Sequence, residues 1–182
     1  MCGRLVEKKG FSYGIEAFAK CFKKHRNIRL QIIGDGPLKY TLKELIKNLE
    51  LEDVILLLGN KSHDEVAEVL KKAEILMMPY ATPKNGDSEG IPYIIKEAIA
   101  TGLPVISTKH AGVPEAIEDG KTGFLVDEKD IDALTNKLNY LIENPDLWAK
   151  FGIRGRKVVE NKFDITKLIQ NLEEIYRSLI YQ

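Results

Sequence analysis

The sequence has little that could form disulfides or bind a structural metal. Its 182 residues include only two cysteines, Cys2 and Cys21, which form neither a disulfide framework nor a clustered zinc site. We therefore expect a reducing, cytoplasmic setting. No signal peptide and no apolar run of spanning length is present, which leaves a loose association with the inner face of the membrane open for the full-length protein.

The sequence also lacks an excess of charge of either sign. Its 27 Lys and Arg residues balance its 27 Asp and Glu residues, so the formal net charge is zero. Proteins that bind nucleic acid usually carry a basic excess, so we expect no nucleic-acid partner. The length is that of about one domain with a sizeable core, and we treat residues 1–182 as a single domain.

Strand-like and helix-like patterns alternate along the chain. Helical spacing of apolar residues separates the short apolar runs, and a last amphipathic helix is predicted at about 165–181. This alternation predicts an α/β fold, a Rossmann-like parallel sheet with helices on both faces. The predicted strands are 1–6, 28–33, 54–58, 74–79, 105–107 and 124–126.

The stretch 88–107 is the most informative part of the sequence. It follows the strand at 74–79 and a loop rich in turn residues, and then a helix opens with Pro92 predicted at its first position. The helix should end near Gly102, because Pro104 cannot continue it. In open α/β sheets, ligands bind at the carboxyl ends of strands, which is where this loop lies.

Backbone and carboxylate groups of this stretch suit one kind of ligand. The N–H groups of Gly90, Ile91 and Tyr93 would point out of a helix N-terminus, which favours an anion such as phosphate. Glu89 and Glu97 would accept hydrogen bonds from sugar hydroxyls. The combination suits a ligand that is both a phosphate ester and a polyol. An ordinary helix with a solvated Glu at each end is the alternative.

Two cations are predicted at the carboxyl end of the first strand. Arg4 can bind a diphosphate through two parallel hydrogen bonds, and Lys9 can attract it as a point charge. The alternative is that Lys8 and Lys9 are only a surface pair. The position of Arg4 between Gly3 and Gly10 favours the ligand-binding interpretation.

Four further local patterns lead to structural predictions. Gly34 and Gly36 predict a tight turn with Pro37 at the first position of the next helix, and the dinucleotide fingerprint G-x-G-x-x-G is missing there. Ser62-x-x-Glu65 predicts a capping box. Asp130 is predicted to cap a later helix, and His110 is predicted to be a solvated loop histidine.

The pattern Glu89-x7-Glu97, set within 88–106, resembles the donor-sugar motif of family 4 glycosyltransferases, which are retaining enzymes with the two-domain GT-B fold. The form that this motif takes in residues 86–92 is more specifically similar to exopolysaccharide and colanic-acid-type transferases. The family has two glycines where Ala111-Gly112 stands. Four other family motifs are matched in order, at 3–10, 34–37, 113–115 and 122–126.

The resemblance implies that this chain is the C-terminal, donor-binding half of a GT-B enzyme. The whole enzyme would transfer a sugar from a nucleotide diphosphate sugar to a polysaccharide or lipid-linked acceptor. We expect the sequence to be part of a longer protein whose N-terminal acceptor domain is absent here, with the last helix crossing to that domain. The chain alone should be inactive.

The resemblance also implies roles for single residues. Arg4 and Lys9 would neutralise the leaving diphosphate, Glu89 would bind the donor sugar, and Glu97 would bind the ribose. No metal and no other cofactor is expected, because the two cations already supply positive charge. Backbone groups would complete the site: Gly90, Ile91 and Pro92 at the phosphate or sugar, and Gly59 and Asn60 at the base.

Two other functional classes stay open at this point. The chain could be a non-catalytic nucleotide-sugar-binding subunit that works with a separate acceptor-binding chain. It could also belong to another GT-B class, such as a 2-epimerase or a phosphorylase, although no cofactor lysine of a phosphorylase can be placed. A nicotinamide oxidoreductase is least favoured, since the glycine fingerprint is missing.

Overall fold

The computed structural model describes residues 1–180, and its strands are all parallel. The strands are β1 (Leu30–Ile33), β2 (Ile55–Gly59), β3 (Leu76–Met78), β4 (Val105–Thr108) and β5 (Gly123–Val126). One group pairs β1 with β2, and the other has the order β3-β4-β5. Every residue of β3, β4 and β5 is buried, as expected for strands covered on both faces.

Helices connect the strands and pack in pairs, which confirms the predicted α/β, Rossmann-like class. The first helix packs against the sixth, and the fourth packs against the seventh. The helices are α1 (Phe11–Lys24), α2 (Lys39–Asn48), α3 (His63–Lys72), α4 (Tyr93–Ala100), α5 (Val113–Ala116), α6 (Ile131–Glu143), α7 (Asp146–Lys162) and α8 (Ile165–Ile180).

The prediction of a first strand over 1–6 is wrong for most of that range. Only Cys2 forms a parallel bridge, with Ile33 of β1. The Leu5 N–H still bonds to the Asp35 carbonyl in the same register, and the chain turns away where the Val6 N–H bonds back to the Arg4 carbonyl. A single 3₁₀ turn, Glu7–Lys9, follows at once.

Gly10 fixes where this turn lies. Its φ of 65° is in the left-handed region, and a Cβ there would lie 1.7 Å from the Pro79 carbonyl oxygen. Only glycine permits this conformation and this approach together. The lysines of the turn are therefore held against the carboxyl end of β3.

Pro92 and Pro37 were each predicted at the first position of a helix, and both predictions are wrong by one or two positions. Pro92 is the N-cap of α4, with an extended ψ of 131°, and Pro37 lies two residues before α2. The predicted end of α4 is confirmed: Gly102 has φ 84°, and the Leu103 N–H bonds to the Ala98 carbonyl, as in a Schellman motif.

The last helix, predicted at 165–181, is observed as α8, and residue 181 lies outside the described residues. No residue of α8 is buried. Its predicted apolar stripe is exposed, with Leu172 at 49% and Leu179 at 66%. Within residues 1–180, no helix combines the length and apolar character that crossing a membrane requires.

Candidate functional site

An open cleft of about 520 Å³ lies where the start of the chain, α3 and the loop before α4 meet. It brings Lys9, Glu89 and Glu97 together with the backbone of 90–94, as the sequence suggested for a single site. The lining residues are Cys2, Gly3, Lys9, Lys61, His63, Val66, Glu89, Gly90, Ile91, Pro92, Tyr93, Ile94 and Glu97.

The N-terminus of α4 is open toward this cleft. No side chain caps the helix and no acidic residue lies in its first turn. Among residues 1–180, no acceptor is bonded to the backbone N–H groups of Gly90, Ile91, Tyr93 or Ile94. Free N–H groups and the helix dipole make this the part of the cleft where an anion is favoured.

Glu89 is held by two lysines rather than one. Its Oε1 lies 3.1 Å from Lys9 Nζ and 3.3 Å from Lys8 Nζ, and its side chain is 18% exposed. Burial alone would raise the pKa of Glu89, but the hydrogen bonds and charges of Lys9 and Lys8 outweigh it and lower the pKa below its usual value. Glu89 is therefore a carboxylate at neutral pH.

Lys8 is a functional candidate that the sequence interpretation missed, because a Lys-Lys pair is usually a surface feature. Its Nζ also lies 3.0 Å from an Asp87 carboxylate oxygen, so it links two acidic residues of the loop before α4. The sequence did hint at a role for Lys8, because it lies next to Lys9 in the turn that ends at Gly10.

Glu97 lies at another part of the cleft wall, one helical turn inside α4. Its side chain is 34% exposed, and its Oε1 lies 3.8 Å from Nδ1 of His63 on α3. Glu97 and Glu89 thus have different neighbours: an imidazole for one and two ammonium groups for the other. Different partners suit the two carboxylates to different parts of a ligand.

Three predicted residues are not in the lining of the cleft. Arg4 is exposed and forms no ion pair within residues 1–180. Gly59 ends β2, where its carbonyl accepts the Gly34 N–H at 2.8 Å, and Asn60 follows it as an exposed residue. Their roles remain predictions.

The prediction that His110 is solvated is wrong. Its side chain is 1% exposed, and its Nδ1 lies 2.6 Å from Glu128 Oε1. Its Nε2 accepts the backbone N–H of Glu89 at 3.2 Å. The sequence missed this because the three residues are brought together only by the fold.

Tyr80 forms the packed layer behind these groups. The phenol is fully buried, its ring stacks on His110 with centroids 5.9 Å apart, and Lys9 Nζ lies 5.1 Å above the ring. Burial raises the pKa of Tyr80, so it stays neutral. The layer gives the charged groups a rigid apolar support.

The sequence contains one Asp-x-Asp, Asp130-Ile131-Asp132, which the sequence interpretation overlooked. Asp130 caps α6 by accepting the Ala133 N–H at 2.8 Å, and Asp132 pairs with Lys20 at 2.6 Å. Both carboxylates have structural partners. Within residues 1–180, no three His, Cys, Asp or Glu side chains group as a metal site.

Comparison with known families and curated proteins gives a consistent result. The family described as Glycosyl transferases group 1 matches residues 1–158. The putative colanic acid biosynthesis glycosyltransferase WcaL of Salmonella typhimurium is 44% identical over 97% of this chain. The amylovoran biosynthesis glycosyltransferase AmsK of Erwinia amylovora is 37% identical over 97% of it. The chain spans only 44% and 43% of the lengths of these relatives.

Solved structures resemble the whole chain. The C-terminal domain of the glycosyl transferase group 1 family protein LpcC from Francisella tularensis superposes with a TM-score of 0.79 at 27% identity, over 91% of this chain and 84% of that one. Anabaena HepE in complex with UDP and glucose superposes with a TM-score of 0.83 at 25% identity, over 97% of this chain and 47% of that one.

Proposed function

The chain belongs to the Glycosyl transferases group 1 family, and from this membership we propose that it is the donor-binding part of a retaining glycosyltransferase. The whole enzyme transfers a sugar from a nucleotide diphosphate sugar to a polysaccharide or lipid-linked acceptor. The observation that carries the proposal is the open N-terminus of α4, which shares one cleft with Lys9, Glu89 and Glu97.

The similar proteins support the class of donor and product. WcaL and AmsK are named for the biosynthesis of colanic acid and amylovoran, which supports exopolysaccharide synthesis. HepE was solved with UDP and glucose, which makes UDP and UDP-glucose the first probes to use. The acceptor of an exopolysaccharide transferase is often carried on a lipid, so a peripheral position at the inner face of the membrane is part of the proposal.

The diphosphate changes the partners of the cations. Lys9 Nζ pairs with Glu89 Oε1 at 3.1 Å. A bound diphosphate brings more negative charge to the same place, so Lys9 pairs with phosphate while Lys8, at 3.3 Å, continues to neutralise Glu89. Arg4 is exposed and free to turn toward the same phosphates. These cations stabilise the leaving diphosphate, and we propose that no metal is needed.

The rest of the enzyme lies outside this chain. The relatives are more than twice as long, and we propose that their remaining length includes an N-terminal acceptor domain like that of other GT-B enzymes. The exposed apolar stripe of α8 supplies a face for that domain. Because chemistry takes place between the two domains, the 182-residue chain alone binds donor but transfers no sugar.

The two carboxylates provide the sharpest test. A thermal-shift screen of UDP, GDP and ADP and of their glucose or mannose esters first identifies a ligand, since a hundred-fold excess over Kd stabilises by about 2.7 kcal/mol. Glu97→Gln should then weaken the free diphosphate and the nucleotide sugar alike, by about 1–2 kcal/mol, because it contacts ribose. Glu89→Gln should weaken mainly the nucleotide sugar.

Calorimetric titration of both variants with the diphosphate and the nucleotide sugar reads out this difference. Equal losses of diphosphate affinity in the two variants would show that the roles are wrongly assigned. No change in either variant would mean that neither carboxylate contacts the ligand. If no nucleotide in the screen shifts the melting temperature, the donor-binding proposal itself fails.

A further inference from the structure

The backbone of Glu89 is tied to a buried histidine. The Glu89 N–H donates to Nε2 of His110 at 3.2 Å, across 21 residues of sequence. His110 follows β4, whereas Glu89 lies in the loop before α4. This bond fixes the main chain at the residue whose side chain faces the proposed donor sugar.

The bonding partners determine which nitrogen of His110 carries the proton. A neutral imidazole has one donor and one acceptor nitrogen. The Glu89 N–H can only donate, so Nε2 must be the acceptor, and the proton lies on Nδ1. Nδ1 then donates to Glu128 Oε1, 2.6 Å away.

Glu128 is fixed in turn by Thr82. The Thr82 N–H donates to Glu128 Oε2 at 2.7 Å, and the Thr82 hydroxyl donates to Oε1 at 3.0 Å. Burial would raise the pKa of Glu128, but the bonds from Thr82 and His110 outweigh it and lower the pKa. The carboxylate therefore remains charged and holds the Nδ1–H tautomer.

The His110 ring has little freedom to move. It is 1% exposed and stacks on Tyr80 with an interplanar angle of 13°. The chain just after His110 also approaches the loop before α4 closely, since a Cβ on Gly112 would lie 2.8 Å from Ile91 Cγ1. The imidazole is thus a rigid anchor beneath an otherwise exposed loop.

We propose that His110 is a positioning residue that holds Glu89 in place for the donor sugar, with Glu128 selecting its tautomer. The positioning is a property of the ligand-free protein, and only its consequence for the sugar rests on the proposed function. No bond is made or broken by His110 during transfer. It acts through the Glu89 backbone.

The test compares two histidines that each pair with a glutamate. His110→Asn retains a donor near the position of Nδ1 but has no atom near Nε2. His25→Asn is the matched control, because His25 Nε2 lies 3.3 Å from Glu143 Oε1, away from the cleft. Glu128→Gln is a second test of the same network, and it decides the outcome if His110→Asn does not fold.

The first readout needs no ligand. Hydrogen exchange of the Glu89 amide, followed by NMR, should accelerate about fivefold in His110→Asn, the change that losing one ordinary hydrogen bond produces. It should accelerate in the same direction in Glu128→Gln and stay unchanged in His25→Asn. An unchanged Glu89 amide in both network variants would overturn the proposal.

The second readout is the ratio of two affinities. In His110→Asn, nucleotide sugar binding should weaken about fivefold, whereas free diphosphate binding changes less than about twofold, because Glu89 faces the sugar. Equal weakening of both ligands would mean that His110 is merely structural and would also overturn the proposal. If the amide responds but the wild type binds no nucleotide sugar, the proposed function fails while the anchoring of Glu89 stands.

Discussion

Two helix N-termini border the same cleft, and they are built in opposite ways. The start of α3 is closed: Ser62 accepts the Glu65 N–H, and the Glu65 carboxylate accepts the Ser62 N–H. The start of α4 has no side-chain cap and no acidic residue in its first turn. Asp64 and Glu65 already place negative charge on α3, so only α4 is left free for a ligand anion.

The two helices also differ in what stabilises them. Only Leu70 of α3 is buried, so its N-terminal cap matters more to that helix. In α4, Ile95, Ala98 and Ile99 are buried and a Schellman motif closes the C-terminal end. Packing and the far end can therefore hold α4 together while its N-terminus stays open.

The largest effect should come from removing the two cations that are proposed to bind the diphosphate. Lys9→Ala should weaken diphosphate binding by about 1.5–3 kcal/mol, the worth of a hydrogen bond to a charged group, and Arg4→Ala should do the same. Monophosphate binding should suffer less. Lys43→Ala is the control, since Lys43 is an exposed residue of α2.

Isothermal titration with a nucleoside diphosphate and the matching monophosphate measures these losses. Equal losses for the two ligands would place Lys9 and Arg4 away from the second phosphate. A loss in Lys43→Ala of the same size would mean that only the general charge of the domain is being sensed.

A smaller loss of diphosphate affinity should follow from placing an acidic residue in the first turn of α4, as in α3. Tyr93 is the first residue of α4 and is 77% exposed, so Tyr93→Glu adds a carboxylate there without burying it. Repulsion between exposed charges should weaken diphosphate binding by about 1 kcal/mol, and added salt should reduce the effect.

Tyr93→Gln is the matched control, since it also loses the contact of Lys96 with the tyrosine ring but carries no charge. Calorimetry at low and high ionic strength compares the two variants. If they bind diphosphate equally well at low salt, the anion does not lie at the N-terminus of α4.

The smallest effect concerns the closed helix, and it depends on pH. Hydrogen bonds from the Ser62 backbone, Lys61 and the Ser62 side chain lower the pKa of Glu65 from 4.5 to about 2. Since the folded pKa is the lower one, this carboxylate stabilises the protein above pH 4.5, and the contribution is lost as the pH falls toward 2. Glu65→Gln should therefore melt below the wild type at pH 6 and converge with it near pH 2.

Thermal melts across this pH range measure the difference between the two proteins. Glu52→Gln serves as the control, because Glu52 is exposed and makes no side-chain hydrogen bond or ion pair among residues 1–180. A difference in melting temperature that persists unchanged at pH 2 would mean that the capping carboxylate does not account for it.

Structural features that depend on residues close together in sequence were predicted well. The capping box at Ser62 and Glu65 is confirmed, as is the cap at Asp130, because each involves residues only three apart. The end of α4 at Gly102 is confirmed for the same reason. Helix starts at prolines were less exact, since Pro92 and Pro37 fit equally well just before a helix.

The first strand shows how a local pattern can mislead. An apolar start followed by Arg4 favours an extended strand up to Val6, but pairing with β1 ends at Gly3. The partner strand β1 ends at Ile33, and the Val6 N–H bonds back to the Arg4 carbonyl. Where a partner strand far away in sequence ends is something that no local pattern could reveal.

The sequence by itself determined the α/β class, because periodicity and turn residues act over a few residues, and the family resemblance implied the grouping of Glu89, Glu97 and Lys9. Only the tertiary structure decided that Lys8 joins Lys9 on Glu89 and that His110 is a buried anchor. His110 meets Glu128 across 18 residues and Glu89 across 21. Such pairs form only when the carboxyl ends of separate strands are brought to one edge of the sheet.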